Sequence, residues 1–297
     1  MERVLVSGAN GFIASHIVEQ LLAAGYEVVG TVRNLGDSKT VGHLEALPGS
    51  KRLSLVAADI TDTDPFGKLT ADVDYVMHTA SPYVMHVADP QRDLVTPAVN
   101  GTLAMLRACQ ESTRIKRVIV TSSMAAITDE PDRNHVLTEA DWNEKSSIAR
   151  NPYYFSKTQA ERAAWDFVSE HQPGWALITI NPFMVLGPSH TPSLNTTNQI
   201  FVDLMVGKYP VIFALTWGFV DVRDVALAHL RAMERPAASG RYLCAGETRS
   251  MRQVVAHLKR LGYRGNLPRL GLDSVWGTPV AKLLSYAQPQ GVGSYLR

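Results

Sequence analysis

The chain has 297 residues, 45% of them hydrophobic, and a formal net charge of +1. That length supports one large core, or a core with a smaller lobe beside it. The near-neutral balance gives no field to attract nucleic acid or an anionic membrane, and the two cysteines, Cys109 and Cys244, sit in apolar segments that suit reduced, buried thiols better than a disulfide.

The first strand, Arg3–Val6, begins so early that it leaves no room for a signal peptide. No apolar stretch approaches membrane-spanning length, so a soluble, cytoplasmic protein with no membrane partner is expected. The strand runs into Ser7-Gly8-Ala9-Asn10-Gly11, and that turn opens a helix over Gly11–Ala24. Ile13, Ile17, Val18, Leu21 and Leu22 recur at helical spacing, Gly25 closes the helix, and Glu27–Val32 reads as a second strand. A βαβ unit with glycines at its first turn makes a phosphate-sized notch. Gly8 permits the sharp turn and Gly11 lets a pyrophosphate approach the backbone. The helix start at Phe12 and Ile13 offers free N–H groups and a partial positive charge. The spacing is Gly-x-x-Gly-x-x-Ala rather than Gly-x-Gly-x-x-Gly, so the motif needs support from elsewhere in the chain.

Further strands are expected at Leu53–Ala57, Tyr75–His78, Val118–Thr121 and Ala176–Ile180, with helices at Val95–Glu111 and Pro152–His171. This alternation predicts an α/β fold, a doubly wound parallel sheet of Rossmann type. Residues 1–182 form the expected dinucleotide-binding domain. Residues 183–297 form a smaller substrate-binding lobe, from which 218–245 returns to the first domain. Asp221 or Asp224 is placed to cap the helix in that returning segment.

Chemistry gathers at the carboxyl ends of the strands. Arg33 follows the second strand, where an acid would bind a ribose 2′-hydroxyl; a guanidinium there suits a 2′-phosphate, which points to NADPH. Lys39 supplies a second cation. Asp59-Ile60 follows the third strand, where the carboxylate either accepts from an adenine amino group or caps the next turn. His78 is read as hydrogen-bonded packing, and Thr79-Ala80-Ser81 as small residues over which a cofactor lies flat. The nine histidines show no ligand pair at metal spacing with a third partner, so no metal is expected.

The fifth strand ends in Thr121-Ser122-Ser123, and the helix after Asn151 carries Tyr153 and Lys157 four residues apart on one face. A neighbouring ammonium favours a phenolate. Lowering a tyrosine by two or three pKa units takes roughly 3–4 kcal/mol, which a lysine and a positive nicotinamide ring can supply in a desolvated site. Tyr153 then donates a proton to a carbonyl oxygen and Ser123 hydrogen-bonds the same oxygen. Tyr154 has Thr158 one turn on, not a lysine, and its ring is expected to pack.

Together these residues resemble the extended short-chain dehydrogenase/reductase family, in its dihydroflavonol-4-reductase-like branch with the fungal carbonyl and methylglyoxal reductases. The likeness runs through Gly8–His16, Arg33, Asp59-Ile60, Ser123, Tyr153, Lys157, Asn181-Pro182-Phe183-Met184-Val185 and Phe219–Ala226. It implies NADPH-dependent reduction of an aldehyde or ketone, with Pro182 and Val185 beside the nicotinamide amide. Two departures stand out: members usually continue through further helices beyond Arg297, and residues 183–217 bear little likeness to the plant flavonoid reductases. Tyr83, Met85, Phe183, Met184, Phe213 and Trp217 are expected to line an apolar pocket for a hydrophobic or aromatic carbonyl compound. Two alternatives share the fold, a nucleotide-sugar epimerase or dehydratase and a non-catalytic NADP(H)-sensing module. Analogy of fold suggests a homodimer through the helices at 95–111 and 152–171.

Overall fold

The computed structural model describes residues 1–60, 64–81, 87–130, 134–191 and 194–272. The chain divides into two compact units, Met1–Pro182 with Val222–Cys244, and Phe183–Asp221 with Ala245–Arg297.

The first unit is built on seven strands: β1 (Arg3–Ser7), β2 (Glu27–Val32), β3 (Leu53–Ala57), β4 (Tyr75–His78), β5 (Arg117–Thr121), β6 (Ala176–Pro182) and, late in the chain, β10 (Gly240–Cys244). All neighbours pair in parallel, in the order β10-β6-β5-β4-β1-β2-β3. Successive strand residues point to opposite faces, and both faces are buried. Val4, Val6, Met77, Ile119 and Ile178 meet α1 (Phe12–Ala23), α2 (Ser38–Glu45) and α7 (Val222–Glu234) on one side. Leu5, Val76, Val118 and Leu177 meet α3 (Asp64–Thr70), α4 (Thr96–Gln110) and α5 (Pro152–His171) on the other. Burial on both faces explains why these strands read as unbroken apolar runs.

The expected elements form, with altered edges. Gly11 is the N-cap of α1 and not its first residue. A π-helical turn, Gln91–Val95, precedes α4. β6 runs on to Pro182, two residues further than expected. Neither β10 nor the short helices α2 and α3 are marked by the sequence pattern.

Close packing at β2 supports the glycine turn. Ala9 N donates to Thr31 O at 2.8 Å and Gly8 N to Thr31 Oγ1 at 3.1 Å. Gly30, one residue earlier, leaves room for the turn to rest there: a Cβ at 30 would lie 2.8 Å from Ala9 Cβ and 3.0 Å from Leu55 Cδ2.

In the second unit, β7 (Met184–Leu186) pairs in parallel with β9 (Thr216–Asp221), and β11 (Thr248–Ser250) pairs antiparallel to β9. A separate pair joins β8 (Val211–Phe213) to β12 (Leu270–Leu272). The core of this unit comprises Leu204 of α6 (Thr196–Met205), Ile212, Phe213, Met251, Val254, Val255 and Leu267. The helix α8 (Met251–Arg260) starts on a reciprocal cap in which Gln253 N donates to Ser250 Oγ and Ser250 N donates to Gln253 Oε1. Phe183 packs against the backbone at Gly218, where a Cβ would come 2.5 Å from its Cδ1. Among the described residues no helix is long and apolar enough to cross a membrane.

Gly30→Ala tests the packing beneath the glycine turn. Overpacking of this kind costs about 1–3 kcal/mol, so the urea midpoint of the variant is expected to fall, and an unchanged midpoint would show that Ala9 moves aside freely.

Candidate active site

Strand order reverses between β1 and β4, and open parallel sheets bind ligands at the carboxyl ends of such neighbours. Gly8 directly follows β1 with φ +65°, a left-handed conformation that disfavours any side chain, and a Cβ there would lie 3.1 Å from that of Ala80. Gly11 N donates to Gly8 O at 2.9 Å, closing the turn. No side chain caps α1, so its first-turn amides are unclaimed by a cap, which is what an anion requires.

Ser7, fully buried, ties the two strand ends together. Its Oγ accepts from Thr79 N at 3.0 Å and Ala80 N at 3.1 Å, and lies 2.9 Å from His78 Nδ1. Thr79 Oγ1 also donates to Ser7 O. With two N–H groups filling its acceptor positions, the Ser7 hydroxyl directs its one proton to Nδ1, which places the ring proton of His78 on Nε2. Burial, and then the charge of Lys157, push His78 down to about 4, so the imidazole is neutral at physiological pH. His78 is therefore packing, as its sequence position suggested.

The second half of the site is the start of α5. Asn151 caps it, accepting from Tyr154 N at 3.3 Å, while its amide donates to Asp129 Oδ1 at 3.2 Å. Pro152 occupies the first turn, where its missing N–H removes nothing. Tyr153 and Lys157 follow one turn apart. Lys157 Nζ lies 5.9 Å from the centre of the Tyr153 ring and donates to Ser81 Oγ at 3.0 Å. Burial of this ammonium pulls its pKa down to about 8. The Tyr154 ring packs edge-on against that of Tyr153. Ser123 opens a one-turn helix, Met124–Ala126, and its Oγ accepts from Ala125 N at 3.2 Å. Thr158 Oγ1 donates to Ala125 O at 3.2 Å, so the turn that carries Ser123 is fastened to α5 just beyond Lys157.

The outlying candidates fall at strand ends. Arg33 is the residue after β2, Lys39 lies in the first turn of α2, and both are exposed and form no ion pair with a described residue. Asp59 and Ile60 follow β3, and Ile60 packs against Gly101 of α4. Pro182 ends β6, and Val185 is buried in β7 paired with Val220. Tyr83 and Met85 lie outside the described residues. Phe213 belongs to the core of the second unit, with Trp217 packed against that core. The role of Ser7 escaped the sequence reading, because a serine at the end of an apolar strand gives no sign that it will accept from a strand 72 residues away.

This arrangement defines a dinucleotide-binding α/β protein with a Ser, Tyr and Lys set at the rim of the sheet. Residues 4–245 match the model of the NAD dependent epimerase/dehydratase family. Among curated proteins the chain is 40% identical to cinnamoyl-CoA reductase CAD2 of Medicago truncatula over 286 residues, 93% of this chain and 86% of that protein. It is 39% identical to the putative NADPH-dependent methylglyoxal reductase GRP2 of Candida albicans, with the same coverage of each chain. Among solved structures, yeast methylglyoxal/isovaleraldehyde reductase Gre2 complexed with NADPH superposes with a TM-score of 0.81 at 33% identity, covering 90% of this chain and 85% of that one. The chain belongs to this epimerase/dehydratase family, the extended short-chain dehydrogenase/reductases.

Replacing the buried ammonium has a signed consequence for stability. A lysine held at about 8 in the fold, against about 10.4 in the open chain, disfavours folding below about 8 and ceases to do so above about 10.4. Lys157→Met is therefore expected to raise unfolding stability at pH 7, by up to about 3 kcal/mol, with the gain fading between those two pH values. Denaturant titrations at pH 7 and pH 10.5 check this; a variant less stable at pH 7 would refute it.

Proposed function

We propose that this protein reduces an aldehyde or ketone to an alcohol with NADPH as hydride donor. The observation that carries the reading is the desolvated ammonium of Lys157, anchored on Ser81 and one helical turn from Tyr153. The family and the reductases named above support it.

The residues present fit the cofactor. The turn from Gly8 to Gly11 is a cradle that side chains would fill, and the uncapped start of α1 offers Phe12 and Ile13 amides to a pyrophosphate. Arg33, just after β2, and Lys39, in the first turn of α2, are exposed cations for a 2′-phosphate. Asp59 and Ile60 serve the adenine, Thr79, Ala80 and Ser81 the sheet rim, and Pro182 and Val185 the nicotinamide end. When bound, NADPH supplies the hydride that a carbonyl carbon accepts.

The chain's own groups supply the proton. Tyr153 gives its phenolic hydrogen to the carbonyl oxygen as the alcohol forms. Lys157 lowers the cost of the phenolate left behind, because its positive charge stands one helical turn away in a partly buried site. Ser123 donates a hydrogen bond to the same oxygen and fixes its direction. The substrate we favour is an apolar or aromatic carbonyl compound, because the described second unit groups Phe201, Trp217 and Phe219, Phe201 against Phe219 at 5.4 Å and Trp217 against Phe219 at 6.1 Å, with Phe183 packed on Gly218 in the same unit.

Tyr153→Phe removes the proton and keeps the ring. Its kcat on a panel of aromatic and aliphatic aldehydes is expected to fall by about 10²–10⁴-fold, with NADPH still bound; turnover at the wild-type rate would overturn the assignment. Arg33→Asp removes a charge-assisted phosphate contact of about 1.5–3 kcal/mol. The preference for NADPH over NADH in kcat/KM is expected to drop roughly ten- to 150-fold, and an unchanged ratio would dismiss Arg33 as the phosphate ligand.

A further inference from the structure

A second polar cluster lies behind the candidate site, inside the first unit. Glu161 stands on α5 one turn beyond Lys157 and two beyond Tyr153, with its side chain 1% exposed. Its Oε1 accepts from Arg241 Nε of β10 at 2.7 Å, from Thr179 Oγ1 of β6 at 3.0 Å and from Trp165 Nε1 at 3.5 Å. Its Oε2 accepts from Asn181 Nδ2 at 2.6 Å and from Ser122 Oγ. The same Asn181 amide donates to Ser123 O at 3.2 Å. Arg241, 8% exposed, is bonded through all three of its nitrogens: it also donates to Glu139 O at 2.8 Å and Asp141 O at 2.5 Å, reaches Ala126 O at 3.5 Å, and lies 3.7 Å over the Trp142 ring.

The partners of this carboxylate are the residues that flank the proposed chemistry. Ser122 and Ser123 directly follow β5. Asn181 precedes Pro182 at the end of β6. The carboxylate itself belongs to the helix of Tyr153 and Lys157. A buried ion pair is a poor way to gain stability, since apolar side chains of similar volume often serve as well or better. A fully satisfied buried network instead restricts its members to one arrangement. We infer that Glu161, held by Arg241, is a positioning residue for carbonyl reduction, setting the strand end that bears Ser123 against the helix face that bears Tyr153 and Lys157. This rests on the functional reading above. The pair touches neither substrate nor cofactor; it acts through Ser122, Asn181 and α5.

The test uses the full chain with NADPH and a carbonyl substrate turned over by the unaltered protein. Glu161→Gln keeps the size and removes the charge. Glu161→Leu with Arg241→Met removes both charges together, so a stranded guanidinium cannot unfold the protein. Rates are expressed per NADPH-binding site. A misplacement of about 1 Å costs about 10²-fold, so both variants are expected to fold, bind NADPH and the carbonyl within about threefold of normal, and lose at least about tenfold in kcat. The deuterium isotope effect on kcat with labelled NADPH is expected to rise as hydride transfer becomes slower than release. Folded variants with normal kcat and an unmoved isotope effect would overturn the inference and leave the reductase reading intact. Loss of folding in both variants would also overturn it, as a pair needed only for stability. An unaltered protein that turns over no carbonyl compound defeats the reductase reading and this inference with it.

Discussion

The constraint on which the first unit depends is the parting of the chain at β1 and β4. After β1 the polypeptide leaves for the face of α1, and after β4 for the face of α4. Two adjacent strand ends are thereby left with no connection crossing them. An opening of this kind has to be kept from closing or fraying, and a single buried hydroxyl, Ser7 Oγ, does much of that by receiving two amides from the far strand. The glycine turn, the small residues after β4 and the Ser123 turn all border this parting.

Charge is distributed with the same economy. At this rim a neutral imidazole, His78, and a desolvated ammonium, Lys157, lie close enough that the second depresses the first. Burial makes the ammonium costly to the fold, and the same burial makes its field effective on a neighbouring phenol. Stability and chemistry therefore pull in opposite directions at Lys157, as expected where a site is arranged for its reaction. Deeper in the unit the arrangement differs: Glu161 and Arg241 are opposite charges, each also hydrogen-bonded to several other groups.

Periodicity revealed the parts of this structure that are local. α1 and α5 were legible because their apolar spacing and end signals lie within a single stretch, with Gly11 and Gly25 around the first and Asn151-Pro152 at the head of the second. The fold class followed from the order of those stretches. β10 was not legible, since Gly-Arg-Tyr-Leu-Cys carries no alternation and forms an edge that one neighbour completes. α2 turns only Val41 and Leu44 inward, too few for a helical pattern to stand out. At the site, the four-residue step from Tyr153 to Lys157 could be read, whereas Glu161 looked like any helical carboxylate because its cation comes 80 residues later.

The contact between Phe183 and Gly218 bears on how this chain can change over generations. Because the ring occupies the space of a methyl group at 218, position 218 is not free to vary by itself. A branched residue at 218 is admissible only in a background that has already lost the aromatic at 183, and the order of the two substitutions matters. The two positions form an epistatic pair, joining the residue that directly follows β6 to the middle of β9, so drift in the second unit proceeds by paired steps at this point.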